Sequence, residues 1–236
     1  MKYESNYEVS RQDALKRFLT YDQGQIIQRL GLQSDDDYIY IEYCKCIYRL
    51  DRKKPGLDRS NLIIMSENND YSAPNFWKEA DYNEALTLCD LLCHTDEPVL
   101  LSENFVSLQS LNSVQGGTTQ STLGKGLLKE TEQFFDGKDI LLSSACESLG
   151  GIAIGKGDVA YEIPLFEPIH ARFSFYDSDE EFEAKMTIMF PSNICNYLYF
   201  ETLWYASAIM LDRLKELIST NEEKKQRANI GLSHNR

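Results

Sequence analysis

Apolar residues recur along the chain with two different spacings, one typical of helices and one typical of strands. Spacing close to 3.6 residues predicts helices over residues 10–30, 81–93, 127–135 and 200–218. Alternation of apolar and polar residues predicts strands within 38–46 and 158–190, and a short apolar run at 61–65 predicts a buried strand. Residues 140–149 fit either a helix or a strand. Helices and strands in separate blocks predict an α+β fold, a largely antiparallel sheet with helices packed on it.

Two polar stretches lie between or after these elements. Residues 104–126 are poor in charge and rich in Ser, Thr, Gly and Gln, which predicts a mobile loop that could cover a ligand. Residues 218–236 have almost no apolar periodicity and are predicted to form a polar, frayed C-terminal tail. The predicted organisation is therefore a single α+β domain over residues 1–217, followed by this tail.

The alternation is densest in residues 158–190, where two strands are predicted to meet at a bend near Pro168. The apolar residues of the first strand share one face, which places Glu162 on the other face. With that bend, Glu162 lies opposite Arg172, and His170 lies beside them. These three side chains are the candidate residues of this sheet face for binding a carboxylate, a phosphate or a cation. A structural cross-strand ion pair, worth about 0.2–1 kcal/mol, is the favoured interpretation of Glu162 and Arg172.

Five carboxylates follow the second of these strands: Asp177, Asp179, Glu180, Glu181 and Glu183. Clustered oxygen ligands can bind calcium, so Asp179 and Glu181 are added to the candidate ligand-binding residues. The cluster lacks the central Gly and the Glu at position twelve of an EF-hand loop, which favours a solvated hairpin tip that protects a sheet edge. Phe182, within the acids, is predicted to anchor this turn on the core.

The cysteines form two local pairs. Cys44 and Cys46 lie on one face of a predicted strand, and Cys89 and Cys93 lie one helical turn apart. Four thiolates could hold zinc or an iron–sulfur cluster. Neither spacing is a CxxC motif, however, and buried free cysteine usually packs as a small hydrophobic residue, so core packing without a cofactor is the favoured interpretation.

One glycine-rich segment matches part of a phosphate-binding P-loop. Gly150, Gly155 and Lys156 have the spacing of that motif, but Gly157 stands where a Ser or Thr hydroxyl would bind magnesium. A strand pattern follows in place of the helix that the motif requires. We therefore interpret the segment as a glycine-rich turn that enters a strand. With no recognisable acid–base or nucleophile set elsewhere, no catalytic residue is assigned.

Composition restricts the class of partner and the compartment. The chain carries 37 Asp and Glu against 24 Lys and Arg, a formal net charge of -13, which argues against binding to nucleic acids and to anionic membranes. The first ten residues are polar, without the apolar segment of a signal peptide, and no stretch approaches the 18 apolar residues of a membrane span. We therefore expect a cytoplasmic protein whose cysteines are reduced thiols.

Residues 148–214 resemble the family known as domain of unknown function 3786. The resemblance is carried by Gly157-Asp158, Glu162, Pro168, the run Asp179-Glu180-Glu181-Phe182, Phe190 and a following Tyr-Leu pair. Two positions depart from the family pattern: Glu183 stands where a Pro is expected, and Tyr176 where a Trp is expected. The residues before 148 resemble the family in element order more than in motif.

The resemblance implies a protein of anaerobic bacteria or archaea, in a context near corrinoid or iron–sulfur metabolism. Some relatives carry an additional iron–sulfur module, which this chain lacks, and the family supplies no established activity or catalytic residues. Our leading prediction is a non-catalytic cytoplasmic binding or accessory protein, whose partner is a protein or a small anionic ligand. The alternatives are a protein that handles a metal or a corrinoid- or iron–sulfur-related cofactor and, third, an enzyme of unknown reaction.

Overall fold

The computed structural model describes residues 6–63, 77–94, 100–114 and 122–233. Within these ranges, the backbone alone is described at 61–63, 112–114, 122–127 and 224–233. The described chain forms helices and two antiparallel five-stranded sheets, which confirms the predicted α+β class. No helix in this part of the chain is long and apolar enough to cross a membrane.

The helices and strands are numbered in chain order. The helices are α1 Asn6–Phe18, α2 Gln23–Leu30, α3 Tyr82–Cys93, α4 Leu108–Val114, α5 Thr122–Phe135, α6 Asp139–Ser148 and α7 Phe200–Ser233. The strands are β1 Gln33–Ser34, β2 Tyr38–Tyr43, β3 Cys46–Asp51, β4 Leu57–Ile63, β5 Trp77–Glu79, β6 Phe105–Ser107, β7 Ile152–Ala153, β8 Val159–Phe166, β9 Ile169–Tyr176 and β10 Lys185–Pro191. A single 3₁₀ turn, Ile194–Asn196, precedes α7.

The chain divides into two compact units. The first comprises residues 1–104 and 191–206, and the second comprises residues 105–190 and 207–236. Compact units of this kind occur within single domains as well as between domains, so the single domain over residues 1–217 stays a prediction. The final helix continues to Ser233, beyond the predicted end at residue 218.

The first unit contains the sheet β1-β2-β3-β4-β5, and helices α1 and α3 pack on each other. In β2 the predicted alternation holds, because Ile39, Ile41 and Tyr43 are buried while the residues between them are half-buried. Helix α3 begins with a capping box. The side chain of Asp81 accepts a hydrogen bond from the Glu84 amide, and the Glu84 side chain accepts one from the Asp81 amide.

Two local predictions in the first unit are wrong. The strand predicted over residues 38–46 reverses at Cys44 and Lys45, which have positive φ angles of 47° and 58° and form a two-residue hairpin turn. Such turns favour Asn and Gly, so this pair gave no turn signal. The helix predicted over residues 10–30 is two helices, since Asp22 caps α2 by accepting a hydrogen bond from the Gln25 amide.

The stretch from 104 to 126 is not the loop that its composition predicts. Strand β6 and helix α4 lie within it, and α5 begins at Thr122. Residues 115–121 lie outside the described part of the chain. The predicted ligand-covering role of this stretch therefore stays a prediction. The ambiguous stretch 140–149 belongs to helix α6.

The second unit contains the sheet β6-β10-β9-β8-β7. Strands β8, β9 and β10 follow one another as antiparallel hairpins, as predicted for residues 158–190, and β6 joins the outer side of β10. Aromatic rings fill the core beneath this sheet: Phe135 of α5 contacts Phe173 and Phe175 edge to face, with ring centroids about 6 Å apart. All three side chains are fully buried.

The turn into β8 requires glycine at position 157. Gly157 has a φ of 121°, and a Cβ atom there would lie 2.9 Å from the backbone oxygen of Phe175. We expect Gly157→Ala to lower the free energy of unfolding by about 1–3 kcal/mol, since the alanine would be strained and would clash with β9. Gly155, with a φ of 70° and open space around it, is the control, and Gly155→Ala should cost about 1 kcal/mol. Chemical denaturation measures both, and an equal loss in the two variants would contradict the close approach.

Candidate functional site

Glu162, His170 and Arg172 lie together on the outer face of the second sheet. Strand β8 ends at Phe166 and β9 begins at Ile169, so the bend falls where the sequence predicts it. The register places Glu162 directly opposite Arg172. The predicted register is confirmed, and a ligand-binding role for these residues stays a prediction.

The carboxylate of Glu162 joins the other two side chains. Arg172 Nε donates a hydrogen bond to Glu162 Oε2 over 2.8 Å. His170 Nδ1 lies 3.3 Å from the other carboxylate oxygen, Oε1. About a quarter of the Glu162 side chain and a third of each of the other two side chains are exposed. The group is therefore accessible from solvent and fixed by its own hydrogen bonds.

Two residues that the sequence did not point to complete this site. The Arg172 guanidinium carbon lies 3.9 Å from the ring centroid of Phe105, which is a cation–π contact. Glu167 lies in the bend, with Oε1 3.5 Å from His170 Nε2. The spacing of Glu167 and His170 was available in the sequence, whereas Phe105 gave no signal, because its three-residue strand is far from β9 in sequence. We call Phe105, Glu162, Glu167, His170 and Arg172 the Arg172 site.

The electrostatics of this site favour an ionised Glu162. Burial raises the pKa of Glu162, but hydrogen bonds from Arg172 and His170, together with the charges of these residues, lower it by more, so the pKa lies below its ordinary value of 4.5. The carboxylate stays charged over the range in which most proteins are stable and keeps the guanidinium in place.

The carboxylates of the acidic loop, residues 177–184, order its own backbone and contact neighbouring residues. Asp179 Oδ1 accepts hydrogen bonds from the amides of Glu181 and Phe182, each over 2.8 Å, and these bonds lower the pKa of Asp179. Asp177 accepts from the Gly137 amide, and Glu183 pairs with Lys129 at 3.3 Å. Among the described residues, neither Asp179 nor Glu181 contacts Glu162, His170 or Arg172. The structure therefore separates these two candidates from the Arg172 site.

The predicted role of Phe182 is wrong. Its side chain is 69% exposed and does not anchor the loop on the core. The hydrogen bonds of Asp179 hold the turn in its place, and Ser178 adds two more to the Asp136 carboxylate, from its amide and its hydroxyl. Local side-chain bonds of this kind fix a turn without hydrophobic burial.

The candidate metal-binding cysteines are buried in the first unit. Cys44 belongs to the hairpin turn and Cys46 begins β3, while Cys89 and Cys93 lie on α3. Burial raises the pKa of Cys89 to about 12, which favours the neutral thiol over the thiolate that binds metals. In the part of the chain that is described, no three His, Cys, Asp or Glu side chains are placed to hold a metal ion. This arrangement is typical of core packing.

A buried acidic residue that the sequence did not point to lies in the first unit. Asp90 accepts a hydrogen bond from the Tyr199 amide at the start of α7, and His94 Nδ1 lies 4.0 Å from its carboxylate. Burial raises the pKa of Asp90 above its ordinary value, because its effect is larger than the lowering by these two contacts. His94 Nε2 faces the backbone oxygen of Cys195 at 3.3 Å, and its ring packs edge to face on Tyr199. These contacts fix the entry into α7, which is a structural role.

Comparison with known proteins assigns the chain to a family. The profile of the family described as domain of unknown function (DUF3786) matches residues 22–213, which is most of the chain. The protein belongs to this family. The match confirms the resemblance predicted from residues 148–214 and extends it through both units. No curated protein and no solved structure matches the chain.

The lowered pKa of Glu162 in this DUF3786 protein predicts how its stability depends on pH. A carboxylate with a depressed pKa contributes stability that is fully present above the ordinary value and is lost as the pH falls through the folded-state value. Glu162→Gln should therefore lower the free energy of unfolding by up to about 1 kcal/mol above pH 5, and by progressively less below that pH. Urea denaturation between pH 3 and 8 measures the difference.

The control for this measurement is Glu180→Gln. Glu180 is exposed and makes no hydrogen bond or ion pair with a described residue, so its variant should follow the wild-type curve. If the free energies of unfolding of wild type and Glu162→Gln differ by the same amount at every pH down to 3, a stabilising role of the ionised Glu162 is contradicted.

From the contacts of the acidic loop we predict that divalent cations do not change the thermal stability of the protein. Its carboxylates are directed to different partners, so we expect millimolar calcium or magnesium to leave the melting temperature unchanged. Differential scanning calorimetry checks this expectation. A rise of several degrees that disappears in Asp179→Asn combined with Glu181→Gln would identify the loop as a cation site.

Proposed function

We propose that this protein is a non-catalytic binding or accessory protein, and that Arg172 receives the anionic group of a small ligand. The observation that supports this best is the state of its guanidinium. Arg172 Nε donates a hydrogen bond to Glu162 Oε2 over 2.8 Å. The Phe105 ring covers one face of the guanidinium, with its centroid 3.9 Å from the central carbon. Among the described residues, the hydrogen bond of this guanidinium to a side chain is the one from Nε, and the two Nη atoms donate to none of them. A side chain that is already fixed loses little rotamer freedom when it binds an oxyanion.

The surroundings of His170 support a positioning role for its imidazole. Nδ1 lies 3.3 Å from Glu162 Oε1. Nε2 lies 3.5 Å from Glu167 Oε1, but this buried nitrogen makes no hydrogen bond with a described residue. The imidazole therefore braces Glu162, the carboxylate that also holds Arg172.

Arg49 on the first sheet is a natural comparison. It is also stacked on aromatic rings, 4.6 Å from the Tyr38 centroid and 4.3 Å from the Trp77 centroid. Its Nε and Nη2 both lie 2.8 Å from one oxygen of Asp58, so the carboxylate takes two of its nitrogens. Arg172 gives only Nε to its carboxylate. Arg49 is therefore a matched control with the same chemistry and fewer donors left for a ligand.

The proposal is tested by a thermal-shift screen of anionic metabolites and corrinoids. At least one anion should stabilise the wild type, by about 2.7 kcal/mol at a concentration of one hundred times its Kd. Arg172→Ala should lose this stabilisation and keep its fold, since a partly exposed ion pair contributes at most about 1 kcal/mol. Arg172→Lys should lose most of it, because an ammonium cannot make two parallel hydrogen bonds. Arg49→Ala should retain it.

Two results would contradict the proposal. One is a screen in which no anion stabilises the wild type, which would favour a protein partner as the ligand of this family member. The other is a stabilising anion whose effect is the same in wild type and Arg172→Ala, which would place the anion elsewhere on the molecule.

A further inference from the structure

The two ring nitrogens of His170 both face carboxylate oxygens. Nδ1 lies 3.3 Å from Glu162 Oε1, and Nε2 lies 3.5 Å from Glu167 Oε1. An ionised carboxylate accepts hydrogen bonds and has none to donate, whereas a neutral imidazole carries a single N–H group. A neutral His170 can therefore donate to one of these glutamates, and its other nitrogen presents a lone pair to a negatively charged oxygen.

Nε2 is the nitrogen that a second proton would occupy. It is buried and makes no hydrogen bond with a described residue, whereas Nδ1 is in reach of Glu162. A proton on Nε2 turns its lone pair into a donor that faces Glu167, so the imidazolium has a carboxylate at each nitrogen. A third of the His170 side chain is exposed, which lets the ring exchange protons with solvent.

Glu162 connects the protonation of His170 to Arg172. Its Oε1 faces His170, and its Oε2 accepts the hydrogen bond from Arg172 Nε. The two oxygens of one carboxylate thus hold both groups, which places them within the Debye length of about 10 Å at 0.1 M ionic strength. A positive charge that appears on His170 is therefore felt by an anion bound at Arg172.

The neighbouring strands add no further charge to this set. On β8, Pro164 lies opposite His170, and β6 contributes the apolar ring of Phe105. Among the described residues, Glu162 and Glu167 are the acidic partners of His170, and Arg172 is the one other cation that contacts them. With neutral His170 the site has one positive and two negative charges, and with the imidazolium these charges balance.

From this arrangement we infer that the Arg172 site binds its anion together with a proton on His170, so that its affinity for anions rises as the pH falls. The inference rests on the proposed function, since it concerns the regulation of the same site. Histidine ordinarily gains its proton near pH 6.5. Glu162 stays ionised there, because its pKa lies below its ordinary value of 4.5. The added affinity is therefore present at acidic pH and is lost as the pH rises and the imidazole becomes neutral.

The experiment measures anion binding as a function of pH. Sulfate and benzoate, which keep their charge between pH 5.5 and 8, are titrated into the full chain at constant ionic strength. Binding is followed by the carbon-13 NMR signal of the Arg172 guanidinium. We expect both probes to bind at least about fivefold more tightly at pH 5.5 than at pH 8. Arg172→Ala should bind neither probe at either pH.

Two histidine variants locate the proton. In His170→Asn the side-chain amide can donate to Glu162 but cannot take up a proton, so its affinity should stay at the wild-type pH 8 level throughout. His94→Gln is the matched control, because His94 belongs to the other compact unit, and it should keep the full pH dependence.

A second measurement uses the reciprocity of linked binding. If a proton on His170 strengthens anion binding, the bound anion must favour the protonated ring by the same factor. Sulfate added at pH 7 should therefore move the ring carbon signals of His170 towards their imidazolium positions and leave those of His94 unchanged.

The outcomes distinguish this inference from the proposed function. If the probes bind at Arg172 with the same affinity at pH 5.5 and 8, the anion site stands and the proton linkage is wrong. If His170→Asn keeps the pH dependence, or if His94→Gln loses it, the proton is not taken up at His170 and the inference is overturned. If neither probe binds at Arg172 at any pH, the proposed anion site fails and the inference fails with it.

Discussion

The register between β8 and β9 is the constraint on which the second unit depends. Side chains alternate across a sheet, so a shift of one residue would move Phe173 and Phe175 out of the core and Arg172 into it. Burying one such aromatic side chain stabilises a fold by about 1.5–3 kcal/mol, whereas the partly exposed ion pair contributes at most about 1 kcal/mol. Hydrophobic burial therefore sets the register, and the polar site is a consequence of it.

That hierarchy explains which parts of the site could be predicted from the sequence. The apolar alternation and the bend at Pro168 are local features, and together they were enough to place Glu162 opposite Arg172. Phe105 could not be predicted, because its contact with Arg172 forms only when β6 joins β10, and a strand of three residues has too short a pattern to recognise. The position of Glu167 in the bend was evident from the sequence, but its contact with His170 depends on the turn geometry.

The errors in the fold have similar causes. The hairpin at Cys44 and Lys45 has a turn conformation that usually selects Asn or Gly, and two other residues adopt it here because β2 and β3 pair along their whole length. The break between α1 and α2 depends on one capping contact of Asp22, which a broad apolar periodicity conceals. Phe182 shows that an aromatic residue among acids can remain exposed when hydrogen bonds already order the loop.

Both compact units are discontinuous in the chain, and this has a consequence for synthesis. Residues 191–206 complete a unit that otherwise ends at residue 104, and β6 leaves the ribosome before the strand with which it pairs. The Glu162–Arg172 hairpin can form as soon as β9 has emerged, whereas Phe105 must wait for β10 before it can join the same sheet as Arg172. The ion pair thus joins two strands that are synthesised one after the other, whereas the aromatic contact requires a strand that is synthesised much later than β6. During that interval β6 has no strand to pair with.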